Sequence, residues 1–512
     1  MNVTQRKEKS MKYIIGLDGG LTQTKAVLFD LKGAEINKIM VENEILADGD
    51  RREIEMIPFW EMAAASVSLL MSQGPAEPDD IMGIGLTGQG EGLWPIGQDG
   101  KPVGNAILGI DHRASDEAAY VRERTPGMGK LIHRNIGCPV REGSALMILR
   151  WMKKHRLDQY RRIKVVLFAK DWLRYCMTGR MVTDFSDGVS SFLRFPNGRV
   201  PSQMLTVLEL SDAVEKLPGV LDAANIAGTL TEEAAQKMGL NPGTPVATGA
   251  MDMVSASLGV GAITPGDVSV VMGAPSSAMV VHEKENCDPT RFWQHFICHA
   301  KDDLALEVMS TVDITANIEW ALEELTGTLD YALADQLVEQ AAPGSGGVIF
   351  QPFLAASRER VNMVPGNATA SFFGMTEATT KRQMLRSVYE SIAYSLRDSM
   401  MDYKEISRIM LSGGGPSGGV LPRIIADVTD STVAVSKGSE FAARGAAMAA
   451  GVGLGAYQDF DDAVKKCCKL ENVYQAKPKA IYEDGYLLYR DLRRAFAPLW
   501  GRRQALLLRH QK

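Results

Sequence analysis

The stretch KYIIGLDGGLTQTKAVLFD, residues 12–30, decides the fold. Two β-rich apolar runs flank a turn holding Gly19 and Gly20, so it predicts a strand, a glycine turn and a second strand, with Asp18 at the mouth of the hairpin. The plan returns at residues 266–281, GDVSVVMGAPSSAMVV, with a small-residue turn from Gly273 to Ser277. One plan used twice predicts duplicated domains facing each other, an architectural repeat rather than a residue-by-residue one.

Strands and helices alternate around these hairpins, which makes the class α/β. Helices are expected at 58–73, around 114–124 and at 143–155, with IMGIGLTG, 81–88, as an apolar strand. The segment TPVATGAMDMVSASLGVGA, 244–262, runs from a strand into a small-residue helix near mid-chain and is the expected hinge. Beyond it come a helix at 313–327, the strand GGVIFQPFL, a helix at 381–402, the strand IMLSGGG and a helix at 418–429. The domains are expected at 11–255 and 256–500.

A chain of 512 residues is too long for one hydrophobic core. Its 45% hydrophobic and 23% charged residues are ordinary for a globular protein, and a net charge of −6 supplies no basic field for nucleic acid. Cys138, Cys176, Cys287, Cys298, Cys467 and Cys468 form no metal-ligand spacing, which fits reduced thiols in the cytoplasm. The polar opening MNVTQRKEKS lacks the core of a signal peptide, and no run of about 20 apolar residues follows. Neither export nor a membrane partner is expected.

Five segments carry chemistry. In DGGLTQTK, residues 18–25, turn amides released from sheet pairing can point at an anion, and Asp18 can serve a magnesium ion; the plain alternative is a hairpin whose Asp18 caps the turn. The glycines at 413–415 with Pro416, Ser417, Gly418 and Gly419 close the strand RIML and open a helix, so a flat ring or a phosphate can approach backbone that has no Cβ. No GK[ST] follows, so this is not a Walker loop. Asp252 lies between a strand and a helix rich in Ser and Ala, where a carboxylate can take the proton of a sugar hydroxyl or simply cap the helix. In LTGQGEGLW, 86–94, Gln89 and Glu91 can hydrogen-bond a polyol; Asp111 and Arg113 of ILGIDHRA offer an acceptor and a donor, or form a solvated ion pair, with His112 as bystander.

Together these segments resemble the FGGY family of carbohydrate kinases, from about residue 12 to about residue 455. ASFFGMTEATTKRQMLRSVYE, 370–390, is similar to the family's C-terminal signature, with Gly374, Gln383, Ser387 and Glu390 at its spacing. DGGLTQTK resembles the first phosphate loop, VMGAPSS the second, LSGGGPSGGVLPRIIADVT the adenosine motif, and ATGAMDMVSASLG the segment of the catalytic aspartate. The resemblance implies two actin-like (ribonuclease H-like) domains with a central ligand cleft, and ATP and Mg2+ as cofactors. It implies Asp252 as general base, also touching the substrate, and Asp18 as metal ligand. Asp18, Gly20, Thr22, Lys25, Gly273, Gly414, Gly415 and Gly418 would hold the nucleotide, and Gln89, Glu91, Asp111 and Arg113 the sugar. It admits a homodimer.

QGEGLWPIGQDGKPVGNAILGIDHRA and EVMSTVDITANIEWALEEL look most like L-xylulose or 3-keto-L-gulonate kinases, with erythritol kinases also similar in the first stretch. The expected reaction is therefore phosphorylation of a small ketose or polyol by ATP. Leu21 and Ala274 stand where many relatives carry Thr, and Pro275 cannot donate an amide. Those departures motivate a rival reading as a kinase-like sugar sensor without turnover. An FGGY kinase for erythritol, D-xylulose or glycerol, and an actin- or Hsp70-like ATPase, complete the alternatives.

Overall fold

The computed structural model describes residues 11–124, 127–272, 276–290, 294–309, 313–354, 367–401, 403, 406–412 and 419–510. The chain packs as two compact units. The first takes the chain up to Ile263 and adds His282–Glu307 and Glu440–Cys468; the second comprises Thr264–Val281, Val308–Ser439 and the chain from Lys469 onward. The expected boundary between residues 255 and 256 falls inside a helix, Asp252–Val260.

In the first unit the expected hairpin forms. β1 (Tyr13–Gly19) and β2 (Gln23–Asp30) pair antiparallel from Tyr13 with Asp30 to Gly19 with Thr24, and β3 (Glu35–Glu42) continues the sheet beyond β2. On its other side β1 runs parallel to β4 (Ile81–Gly88), with β5 (Ile226–Thr229) and β6 (Pro245–Ala247) completing the order β5–β6–β4–β1–β2–β3. β1 is buried at every position, as a strand covered on both faces must be. One cover is α1 (Met56–Gln73), whose Phe59, Trp60, Ala63, Val67 and Leu70 enter the core. Helices α2 (Ala169–Thr178), α3 (Phe185–Ser191) and α4 (Asp252–Val260) follow.

Helix α5 (Phe441–Gly453) arrives from far along the chain and packs against β1, β4 and α4. Small residues make that approach possible: a Cβ on Gly16 would stand 2.1 Å from the Ala443 carbonyl oxygen, and one on Gly85 only 2.0 Å from that of Ala446. No side chain larger than hydrogen fits there.

The second unit repeats the plan. β7 (Asp267–Val271) and β8 (Ser277–Glu283) form the antiparallel hairpin, β9 (Arg408–Ser412) and β10 (Val433–Ser436) follow in parallel, and β11 (Leu470–Tyr474) closes antiparallel. The order β8–β7–β9–β10–β11 has the same strand directions as β2–β1–β4–β6–β5. Its core gathers the helices Ile314–Thr326, Lys381–Ser399 and Val420–Thr429, all within a few residues of their expected places. Around 114–124 the helix is broken, α-helical over Ser115–Ala119 and π-helical over Tyr120–Arg124. Among the described residues no helix is long and apolar enough to cross a membrane.

Candidate active site

The carboxylates lie where strands end. Asp18 sits beside Thr87 in the parallel register of β1 and β4, and Ala250 and Met251 pair in turn with Thr87 and Gly88. Asp252 follows at once as the first residue of α4. It is not the cap of that helix, since Met251 holds the cap position; Oδ1 of Asp252 accepts from the adjacent Met253 amide at 2.7 Å. Asp18 is buried, its Oδ1 has no hydrogen-bond partner, and its carboxyl is pushed up to about 7, first by burial and then by the Asp252 charge, with Lys25 opposing. A carboxyl raised by burial together with one specific charged neighbour is an arrangement that functional sites use.

The first loop is held from behind. Asn43 donates through Nδ2 to the carbonyls of Gly20 (2.8 Å) and Leu21 (3.3 Å), and its backbone amide donates to the Thr22 carbonyl at 2.8 Å. Thr22 is exposed, while Leu21 packs its side chain against the first core, which a Thr could not do as well. Lys25, opposite Asp18 in the hairpin register, pairs with Glu440 at 3.0 Å, and Glu440 also takes Lys38 at 2.8 Å. Burial works against the Lys25 charge, yet Glu440, with Asp18 and Glu35, holds the ammonium above its ordinary pKa. Nothing local in the sequence pointed to Asn43 or Glu440.

The expected sugar residues fall into two groups. Gln89 donates its amide to the Gly19 carbonyl at 3.1 Å, and its buried side-chain Nε2 has no partner. Glu91 has a positive φ of 65°, an uncommon conformation for a non-glycine residue, and pairs with Arg141, which sequence reasoning missed. Asp111 and Arg113 do form an ion pair, but a buried one: Asp111 accepts the Arg52 amide at 2.6 Å and the Arg113 Nε at 2.8 Å, and Arg113 also reaches Glu53 at 2.6 Å. Both Asp111 oxygens are thus engaged within the protein. His112 contacts Glu142.

Gly273, Ala274, Pro275, Gly414, Gly415 and Gly418 lie outside the described residues, but the strands that launch their loops do not. Val271 and Ser412 are partners in the parallel register of β7 and β9, and the Met272 amide donates to the Ser412 carbonyl at 3.0 Å, so both loops leave from adjacent strand ends. Ser276 accepts the Ile314 amide through Oγ at 3.0 Å. In the 370–390 stretch, Glu390 accepts from the Gly344 amide, Ser345 Oγ and Arg386 Nε, and Arg386 reaches Tyr482. That signature glutamate is a buried brace.

Solved structures share this build. A ligand-bound xylulose kinase from Lactobacillus acidophilus superposes with a TM-score of 0.86 at 22% identity over 96% of this chain and 100% of its own. A Plasmodium falciparum glycerol kinase with ADP gives 0.81 at 17% over 95% and 98%. These likenesses establish a two-domain α/β fold.

The N-terminal domain of the FGGY family of carbohydrate kinases is matched by residues 13–259 and its C-terminal domain by residues 268–454. The chain belongs to that family, and is a sugar kinase, a phosphotransferase with an alcohol group as acceptor. It is 28% identical to a probable L-xylulose kinase of Pasteurella multocida over 87% of this chain and 91% of that protein. It is 27% identical to the erythritol kinase of Brucella abortus over 96% and 97%, and 27% identical to the L-xylulose/3-keto-L-gulonate kinase of Escherichia coli over 88% and 90%.

Proposed function

We propose that this sugar kinase transfers the γ-phosphoryl group of ATP to a hydroxyl of a small ketose or polyol, in the manner of an L-xylulose/3-keto-L-gulonate kinase. The observation that carries the reading is the pairing of Asp252, at the head of α4, with a buried Asp18 whose carboxyl is raised to about 7 by burial and by that neighbour. Asp252 accepts the proton of the attacking hydroxyl as the new O–P bond forms. Gln89 and Glu91 orient the sugar, with Arg141 fixing the Glu91 carboxylate. Lys25 faces the phosphates from its seat on Glu440, and the 18–25 loop supplies amides.

Asp18 fits a divalent cation, because a cation would satisfy the partnerless Oδ1 and relieve the repulsion from Asp252. When bound, Mg2+ neutralises charge on the phosphate oxygens. Among the described residues no cluster of three or more His, Cys, Asp or Glu side chains could hold a metal alone, so phosphate oxygens and water would complete its shell.

Two measurements test this reading. Coupled ADP release over L-xylulose, D-xylulose, 3-keto-L-gulonate, erythritol and glycerol should show turnover with at least one acceptor, fastest with L-xylulose or 3-keto-L-gulonate. Acceptor binding without ADP release from any of them would turn the reading into that of a sensor. Asn43→Ala should raise the Michaelis constant for ATP about three- to tenfold with little change for the sugar, since freeing the loop carbonyls is worth on the order of 1 kcal/mol. Equal changes in both constants would detach Asn43 from the nucleotide side.

A further inference from the structure

We propose that Ser186 is a positioning residue for Asp252, the end of a buried ionic network that grips the turn from which the base projects. The inference rests on Asp252 being the base. Ser186 Oγ accepts the Met251 amide at 2.9 Å, one residue before Asp252, and donates to Asp184 Oδ2 at 2.6 Å. Asp184 Oδ1 lies 2.8 Å from Lys170 Nζ, which also holds Asp171 at 2.7 Å and Asp187 at 2.8 Å. Arg174 shares Asp171 at 2.9 Å and donates its other nitrogen to the Thr248 carbonyl at 2.7 Å.

The network therefore takes hold of residues 248–251 at both ends, at Thr248 through Arg174 and at Met251 through Ser186. Between them the Ala250 carbonyl accepts from Thr87 Oγ1 at 2.8 Å and Ser255 Oγ at 3.2 Å. Gly249, with φ 76°, lies so close to β4 that a Cβ would stand 1.9 Å from the Leu86 carbonyl oxygen. Every side chain in this chain of contacts is buried. Burying five ionisable groups is a poor route to stability, because their desolvation offsets their attraction. A dry ionic lattice does, however, fix a backbone in one place, and beside the contact from Arg174 to the Val182 carbonyl, two of its outward contacts end on the segment leading into Asp252. A base displaced by about 1 Å can lose on the order of 10²-fold in rate.

The test measures kcat and KM for the fastest of L-xylulose, D-xylulose, 3-keto-L-gulonate, erythritol and glycerol with ATP, in the full chain and in Ser186→Ala, Ser186→Thr and Asp252→Asn. Ser186→Ala should lower kcat tenfold or more while the sugar KM stays within about threefold, and Ser186→Thr, which keeps the hydroxyl, should recover most of the loss. Should the alanine variant not fold, Ser186→Cys, with a weaker acceptor of similar size, should show the same split in smaller degree. A kcat within twofold of native in Ser186→Ala, or equal losses in the Ala and Thr variants, overturns the inference. If Asp252→Asn collapses kcat while Ser186→Ala does not, the base assignment stands and the positioning role falls. If Asp252→Asn turns over like the native chain, or the native chain phosphorylates none of the five, both fall together.

Discussion

Lys170→Met is expected to lower the thermal midpoint by about 5 °C, since a unit of roughly 300 residues shifts by about 1.5 °C per kcal/mol lost. Lys170 is fully buried and its ammonium is shared by Asp171, Asp184 and Asp187, with Arg174 as the second cation. Methionine fills the stem's volume but takes away the cation that Asp184 and Asp187 face, while Arg174 stays on Asp171. Removing one partner from such a cluster costs about 3–5 kcal/mol, a large part of a domain's typical stability of about 5–15 kcal/mol.

Charge balance makes the prediction sharper. Two cations face three carboxylates, and the Asp187 carboxyl is raised to about 8, chiefly by burial, with Lys170 opposing and Asp184 and Asp171 adding to the rise. Between the unfolded value of 3.8 and about 8 the folded state holds the Asp187 proton more firmly than the unfolded one, so this group's contribution falls as pH rises. Asp187→Asn should flatten that decline, leaving the variant less sensitive than the native chain between about pH 4 and 8. Calorimetric unfolding across that range reads both effects. A Lys170→Met midpoint within about 1 °C of native would show that the lattice contributes little to folding.

The lattice also shows where sequence reading stops. β-rich apolar runs around a glycine turn gave away both hairpins, because a strand's composition is local and survives without its neighbours. Asp252 was legible for the same reason, lying where a strand hands over to a helix. Lys170, Asp184 and Asp187 carry no such pattern; charges inside AKDWLRYC and TDFSDG look like solvated faces until the fold buries them.

Lys25 and Glu440 are 415 positions apart, and only the return of α5 to the first unit brings them within 3.0 Å. The small residues of FAARGAAMAAGVG could suggest a helix packed closely on something, but not on Gly16 and Gly85. Asp111 and Arg113 taught the opposite lesson. Their two-residue spacing fitted a solvated pair as well as a sugar site, and the fold makes of them a buried ion pair beside Glu53.

Asp252→Asn should keep the fold and sugar binding while lowering turnover by about 10²-fold or more, since asparagine preserves shape and the contact to the Met253 amide but cannot accept the hydroxyl proton. The effect is expected in kcat rather than KM, because proton acceptance is needed as the bond to phosphorus forms and adds little to ground-state binding. A second consequence separates chemistry from charge. Asp252 is the charged neighbour that, after burial, contributes most to raising the Asp18 carboxyl, so its neutralisation should let Asp18 ionise more readily. ATP·Mg2+ binding to Asp252→Asn should accordingly be at least as tight as to the native chain, even as turnover collapses. Calorimetric titration with ATP·Mg2+, beside sugar-dependent ADP release, checks the two arms. Turnover within a few-fold of native would remove Asp252 from the role of base. Loss of nucleotide and sugar binding together would trace the defect to the turn at residues 248–251, and the variant would then report on folding rather than on proton transfer.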